Sequence, residues 1–425
     1  MNAFWTVLLA GVIILTAPAD GRAQSTVRPA AAEQALNRGF EMAQRERWSL
    51  AIRYFGNAQE LAPTDPVILF NLALANDRAA GRDVIATAWY RAYLEAAPNA
   101  DNAAKVRARV TDLEIEVEAT IVDLLDTARA ISQQLNAQPR ATAMSQIVGA
   151  QAVSGNVQQA LLGLASLQPG SKSDWARARV AATQARRGDL PSAKTTAQAI
   201  LRLPVRRWAL TEIAVREAIR SEFAAALQTA ETIGTGEEQD FAFSRIAALQ
   251  AKADDLAGAG RTAERISETA AAHRIAANAA IAAASFRSGQ SWLTEKAMTM
   301  LDDGFQRARA IQDSTLRQTA LLQIVRARAE TDDMAAARQT AALLIDARFR
   351  HLAAQTLAEA EGDTKTAAIH RWSALAHQAM ASSTIEDISA LLDRAKEGNP
   401  EEAIRMITKA VEERALLAEK FREPS

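Results

Sequence analysis

Apolar positions along this chain repeat with two periods at once. At short range they recur every three or four residues. In the stretch from Ala209 to Ala218, Ala209, Ile213 and Ala214 fall on one face of a helix with Ala218. At long range the same kinds of residue recur every 33 positions. Ile147, Val180, Ile213 and Ile246 form one such column. Ala152, Ala185, Ala218 and Ala251 form a second; Ala160, Ala193, Ala226 and Ala259 form a third. Leu167, Ile200, Ile233 and Ile266 form a fourth. The step then loosens, with Ile281 and Ile324 extending the first column after gaps of 35 and 43 residues. The stretch from Arg350 to Ala368 fits it only roughly. A fixed period of this size predicts stacked helical hairpins.

The breaks within each period support two short helices per unit. Gly155-Asn156, Gly188-Asp189, Asp254-Asp255 and Gly362-Asp363 mark them. Glycine or asparagine there can take the left-handed conformation that ends a helix, and Asp or Asn can cap the next one. Alanine lets two helix backbones approach closely, while Leu and Ile fill the remaining space. One hairpin cannot bury its apolar face alone, so neighbours must stack into a continuous core. Valine and isoleucine are scattered at helical spacing rather than alternating, and only 18 Gly and 11 Pro in 425 residues argue against many loops. The predicted fold class is all-α, an elongated α-solenoid of helix-turn-helix repeats, with about seven looser hairpins after residue 136.

Two units near the N-terminus carry a more specific pattern. The first, from about Ala32 to Pro63, has Gly39, Ala51, Phe55, Ala58 and Pro63. The second has Ala73, Ala86, Tyr90, Tyr93 and Pro98. These spacings resemble the tetratricopeptide repeat (TPR) family. Ala35 stands where that family often has tryptophan, and Tyr93 takes a small-residue position. The hairpins between 137 and 370 resemble the family in length and layout. The resemblance implies small residues where helices A and B touch, and a groove that engages an extended or helical segment. Asn71 and Asn76, on helix A of the second unit, would then bond the backbone of that segment. The expected organisation is a signal peptide over 1–23, two TPR-like repeats over 24–100 and a long connecting helix over 101–136. TPR-like hairpins over 137–370 and capping helices over 371–425 complete it.

The N-terminus reads as an export signal. An apolar run of about 15 residues precedes Ala17-Pro18-Ala19 and Gly21-Arg22-Ala23, two small–x–small cleavage candidates. The segment before the run has no Lys or Arg, which keeps an uncleaved N-terminal anchor as the alternative. With no cysteine the chain has neither a lipid-anchoring thiol nor disulfides, although its destination would be oxidising. The predicted location is the periplasm. Net charge is −1, with both signs interleaved, so there is no electrostatic case for nucleic acid as a partner. After removal of the signal, no stretch approaches the ~20 apolar residues of a transmembrane span.

The segment from Asp101 to Leu135 reads as one long helix. Val106, Val110, Leu113, Val117, Leu124, Ala128, Ile131 and Leu135 follow spacings of three and four. Asp112, Glu114, Glu116, Glu118, Asp123 and Asp126 occupy its outer face. Two readings stand: a helix lying on its neighbours with a solvated acidic face, or a coiled-coil seam for a homodimer through residues 101–135. Further on, Ser383-Thr384-Ile385-Glu386 is a capping box, and Asn399-Pro400-Glu401-Glu402 starts a last helix expected to close the stack.

Catalytic chemistry finds little support. His370 and His377 lie seven apart, too far for one ion, so no metal is implied. Gly170-Ser171-Lys172-Ser173 looks like the end of a phosphate loop, but Ala165 replaces the required glycine, and the segment reads as an inter-repeat turn. Gly234-Thr235-Gly236 precedes Glu237, Glu238 and Asp240, which repel phosphate. No cofactor is implied. Trp175 and Trp208 share the 33-residue step, either as packing between units or as a ladder of aromatic anchors. Arg202, Arg206, Arg207, Arg216 and Arg220 surround Trp208. The candidate partner-binding residues are therefore Asn71, Asn76, Arg206, Arg207 and Trp208. The expected function is a non-enzymatic periplasmic scaffold holding a protein or peptide of an envelope assembly for secretion, motility or polysaccharide export. The alternative is the helical domain of a peptidoglycan- or glycan-acting system.

Overall fold

The computed structural model describes residues 28–168, 170, 173–382 and 399–422. The expected signal peptide and the Ser383–Glu386 capping box lie outside the described residues. The protein is all-α: 20 helices hold 81% of the described residues, which contain no strand. The first five are α1 (Ala30–Gln44), α2 (Trp48–Leu61), α3 (Pro66–Arg78), α4 (Asp83–Ala96) and the long α5 (Ala103–Gln133). Hairpins come next: α6 (Ala137–Val153) with α7 (Val157–Ser166), α8 (Asp174–Arg186) with α9 (Leu190–Gln198), and α10 (Leu203–Ile219) with α11 (Phe223–Ile233). Three more are α12 (Glu237–Lys252) with α13 (Leu256–Glu264), α14 (Ala271–Arg287) with α15 (Ser291–Ala310), and α16 (Ser314–Glu330) with α17 (Met334–Ala341). The chain continues with α18 (Ala347–Ala360), α19 (Thr364–Met380) and α20 (Pro400–Arg422). Among the described residues no helix is long and apolar enough to cross a membrane.

The helices fall into two compact units. The first comprises α1 to α4, α5 as far as Val117, and α19; the second takes the rest of α5, α6 to α18, and α20. In the first unit, α1 packs on α2, α2 on α3, and α4 on both α3 and α19. Gly39 is there because Phe55 is: a Cβ on Gly39 would stand 2.3 Å from the Phe55 ring. Tyr93, large where the family pattern has a small residue, is buried beside Phe70, ring centroids 5.2 Å apart.

The 33-residue period of the second unit has a backbone cause. Gly155, Gly188, Ser221 and Asp254, one step apart, hold φ at +92°, +87°, +63° and +62°. Each ends its helix in the same way. The amide after it donates back to a carbonyl five residues earlier, Asn156 to Gln151 at 2.9 Å and Asp255 to Gln250 at 2.9 Å. This is the left-handed helix terminus with its six-to-one hydrogen bond. Asp189 and Asp255 then accept the amides of Ser192 and Gly258, starting the second helix.

Burial follows the four columns. Every member at the 33-residue step is buried except Leu167, which is half-buried, as is Ile281 where the step loosens. A second device ties one hairpin to the next. The buried Asp174 carboxylate accepts the amides of Leu201 and Arg202, at 3.1 and 2.8 Å. Asp240 accepts the amide of Ser267 at 2.7 Å, and the Gln318 side-chain oxygen accepts those of Ile345 and Asp346. In each case one polar side chain near the start of a helix satisfies the turn that leads out of its hairpin.

The structure adds detail to the ends and the long helix. The described helices within residues 371–425 pack in different places. Residue 371 falls inside α19, which packs on α4, whereas α20 packs on α6, at the beginning of the second unit's hairpins. Asn399 does cap α20, accepting the Glu402 amide at 3.2 Å. The apolar stripe of α5 packs within the single chain: Val106, Val110, Leu113, Val117, Leu124 and Ala128 are buried.

Candidate functional site

Alternate helices of the second unit form a continuous series. α6 packs on α8, α8 on α10, and so on through α12, α14 and α16 to α18. These first helices of each hairpin, the A helices, share one face that their partner helices do not cover. Three aromatic side chains stand on it in register: Trp175, Trp208 and Phe241, each 33 residues from the last. Trp175 is 45% exposed and Phe241 38%. The Trp175 and Trp208 rings meet edge-on, centroids 5.9 Å apart, and Phe241 meets His273 at 5.7 Å. The Arg179 guanidinium lies 4.8 Å from the Trp208 centroid and 5.8 Å from that of Trp175. At such distances a cation is attracted by the ring face.

The chain's own last helix uses this face. Arg179 meets Glu412 of α20 at 2.7 Å, and Arg186 meets Glu419 at 3.6 Å. Both arginines lie on α8 and both glutamates on α20, each pair seven residues apart, so the two contacts are two helical turns apart. Arg422 of α20 pairs with Glu118. Burial raises the Glu412 carboxyl pKa, and the Arg179 charge opposes that shift. Burial also lowers the Arg186 guanidinium, with Glu419 pulling it back up. His273 is lowered by burial, against the raising influence of Glu237 and Asp240.

The five sequence-derived candidates do not meet in one place. Asn71 and Asn76 belong to the first unit, and both are buried. Each donates its amide to a carbonyl one turn back, Asn71 to Val67 and Asn76 to Leu72, both at 2.7 Å. Asn76 also accepts from Arg82 Nε at 2.7 Å. They serve the helix they stand on and present no open amide. Arg207 is the column partner of Asp174 and Asp240, one step from each. Like them it addresses the turn out of its hairpin: a Cβ on Gly234 would lie 3.3 Å from its Nη2. Arg207 is thus half-buried against a turn, while Arg206 is half-buried with no ion pair among the described residues. The rest of the arginine cluster disperses, Arg202 lying 3.7 Å from Asp174 and Arg220 pairing with Glu222 at 2.9 Å. Trp208 does stand at the face, half-buried between Trp175 and Arg179. Sequence reasoning missed Phe241, which the Trp175–Trp208 step would have reached by one further addition. It also missed Arg179 and Arg186, whose role depends on a helix more than two hundred residues away.

Among the described residues no cluster of His, Asp or Glu is placed to hold a metal ion. The arrangement on the A-helix face offers guanidinium groups beside aromatic surface. It is suited to holding carboxylates of a helical segment and burying the apolar side chains between them. No protein-family model matches the chain, and no curated protein matches it.

Proposed function

We propose that the chain is an exported, non-enzymatic scaffold of the cell envelope, a TPR-like α-solenoid that holds a protein or peptide partner on the A-helix face of its second unit. One observation carries this reading. That face already seats a helix, α20, through two arginine–glutamate pairs spaced two turns apart, beside an aromatic column that remains partly open to solvent. The sequence supplies the context: an apolar N-terminal run with small–x–small sites for export to the periplasm, and repeats without a catalytic constellation. The partner belongs to a secretion, motility or polysaccharide-export assembly. The face, rather than the asparagines of the first unit, is the place where it binds.

Affinity capture tests the proposal. The tagged chain, expressed in its native cell, is recovered from envelope extract, and the purified chain is incubated in parallel with peptidoglycan. The expected result is one or a few stoichiometric envelope proteins and intact peptidoglycan. Recovery of no protein, together with degradation of the glycan, would mean that the chain acts as an enzyme.

A further inference from the structure

The pair that seats α20 recurs two repeats later. Arg245 stands 66 residues after Arg179, and Lys252 stands 66 after Arg186, so α12 presents the same two cations at the same seven-residue spacing as α8. The intervening helix α10 breaks the pattern, carrying Glu212 and Ile219 at those positions. On α8 both cations are matched by α20. On α12, Arg245 and Lys252 have no ion pair among the described residues. We infer that the A-helix face over α12, α14 and α16 is a second seat for an acidic amphipathic helix, contributed by the partner protein. This rests on the scaffold reading above and names the chemistry of what that scaffold holds.

Three further observations converge there. A cavity of about 460 Å³ opens on this face, lined by Ala248, Lys252, Ala280, Arg287 and Glu330. It belongs to α12, α14 and α16, and α14 packs on both of the others. Its central helix contributes Ala280 and Arg287, with Lys252 of α12 on one side and Glu330 of α16 on the other. Arg326 of α16 lies close enough to Arg245 for the second charge to depress its pKa, adding to the effect of burial. The exposed Arg245 and the half-buried Arg326 therefore add like charge to the same face. Such a pair is stabilised by an anion between them. Glu330 pairs with Arg287 at 2.5 Å, and Glu359 and Glu330 both oppose the shift at Arg326, while neither forms an ion pair with Arg245. Beside the cations, the half-open Phe241 offers apolar surface for the residues between the partner's carboxylates.

The spacing selects the ligand. Two cations seven residues apart on one helix match two carboxylates seven apart on another, as Glu412 and Glu419 show on α8. The test uses the whole exported chain with its own α20 in place. The probe is a fluorescein-labelled peptide of residues 400–422, followed by anisotropy. Binding should weaken as salt rises. It should fall at least ~10-fold in the Arg245→Ala/Lys252→Ala variant, as expected when one partner of each of two charge contacts is removed. The same peptide carrying Glu412→Gln and Glu419→Gln should not bind. Circular dichroism of the variant reads its folding, and an Arg245→Lys variant, which keeps the charge, should retain most of the binding. Equal binding by wild type and the double alanine variant would overturn the inference, since the probe would then sit elsewhere or exchange with α20. So would binding of a heparin hexasaccharide without binding of the peptide, which would make the seat a glycan site. If the peptide fails while affinity capture still yields an envelope partner, this seat is wrong and the scaffold stands. If capture also fails, both readings fall.

Discussion

Replacing Ala226 with leucine adds an isopropyl group where there is no room for it. Ala226 lies on α11 with no solvent exposure, in the cluster formed with Ala214, Ala218, Ala230 and Ile246. It is the third-column alanine of its unit, and its equivalents Ala160, Ala193 and Ala259 are equally inaccessible. The group cannot turn outward, because α11 is held between α10 of its own hairpin and α12 of the next. The helices must separate or the side chain must leave its rotamer, at a cost of about 1–3 kcal/mol. For a domain of this size each kcal/mol lowers the melting temperature by about 2–4 °C. The assay is urea and thermal denaturation followed by far-ultraviolet circular dichroism. Ala224→Leu, two residues away and exposed, is the control and should change stability by less than about 0.5 kcal/mol. Equal midpoints for Ala226→Leu and the wild type would refute the assignment of this column to close helix contacts.

Three other outcomes are expected. Asp174→Ala removes the buried acceptor of two backbone amides and should cost about 1–3 kcal/mol, with faster proteolysis at residues 199–203; unchanged cleavage there would argue against the staple. Ser221→Gly relieves a left-handed serine at φ +63° and should raise stability by roughly 0.5–1 kcal/mol, read as a higher urea midpoint. His273 has a pKa lowered by burial, so it contributes stability above the unfolded histidine value of about 6.5 that is lost as pH falls through the lower folded value. The wild type should therefore lose more stability than His273→Gln between pH 7.5 and pH 5, and parallel losses would show that His273 is not buried neutral.

Much of the second unit was legible from its sequence because burial in stacked hairpins is periodic. Ile147, Val180, Ile213 and Ile246 are core residues for one geometric reason, repeated. The breaks were legible for a similar reason: Gly155 and Gly188 occupy a conformation that glycine adopts freely, and Asp189 and Asp255 cap the second helix of their hairpins. Ser221 was harder to see, since nothing in its type announces a left-handed residue; only the step from Gly188 does. The bonds of Asn71 and Asn76 to carbonyls of their own helix were not legible, because an amide on a helix is as able to bond its own carbonyls as a ligand. The place of Arg207 was hidden for a different reason. Its charge suggested a free cation, whereas its column, shared with Asp174 and Asp240, assigns it to the turn beside Gly234. The docking of α20 on α6 and α8 was not legible at all. The Arg179–Glu412 contact spans 233 residues, and a capping helix of that composition has many surfaces it can cover.

The central claim is that the A-helix face of the second unit holds the partner. Site-specific photo-crosslinking in living cells tests it most directly, with benzoylphenylalanine placed at Phe241 on that face or at Leu162. Leu162 is 74% exposed on α7, a second helix of its hairpin. The account predicts a discrete protein adduct from position 241 and none from position 162. An adduct from position 162 alone, or the same adduct from both, would contradict it.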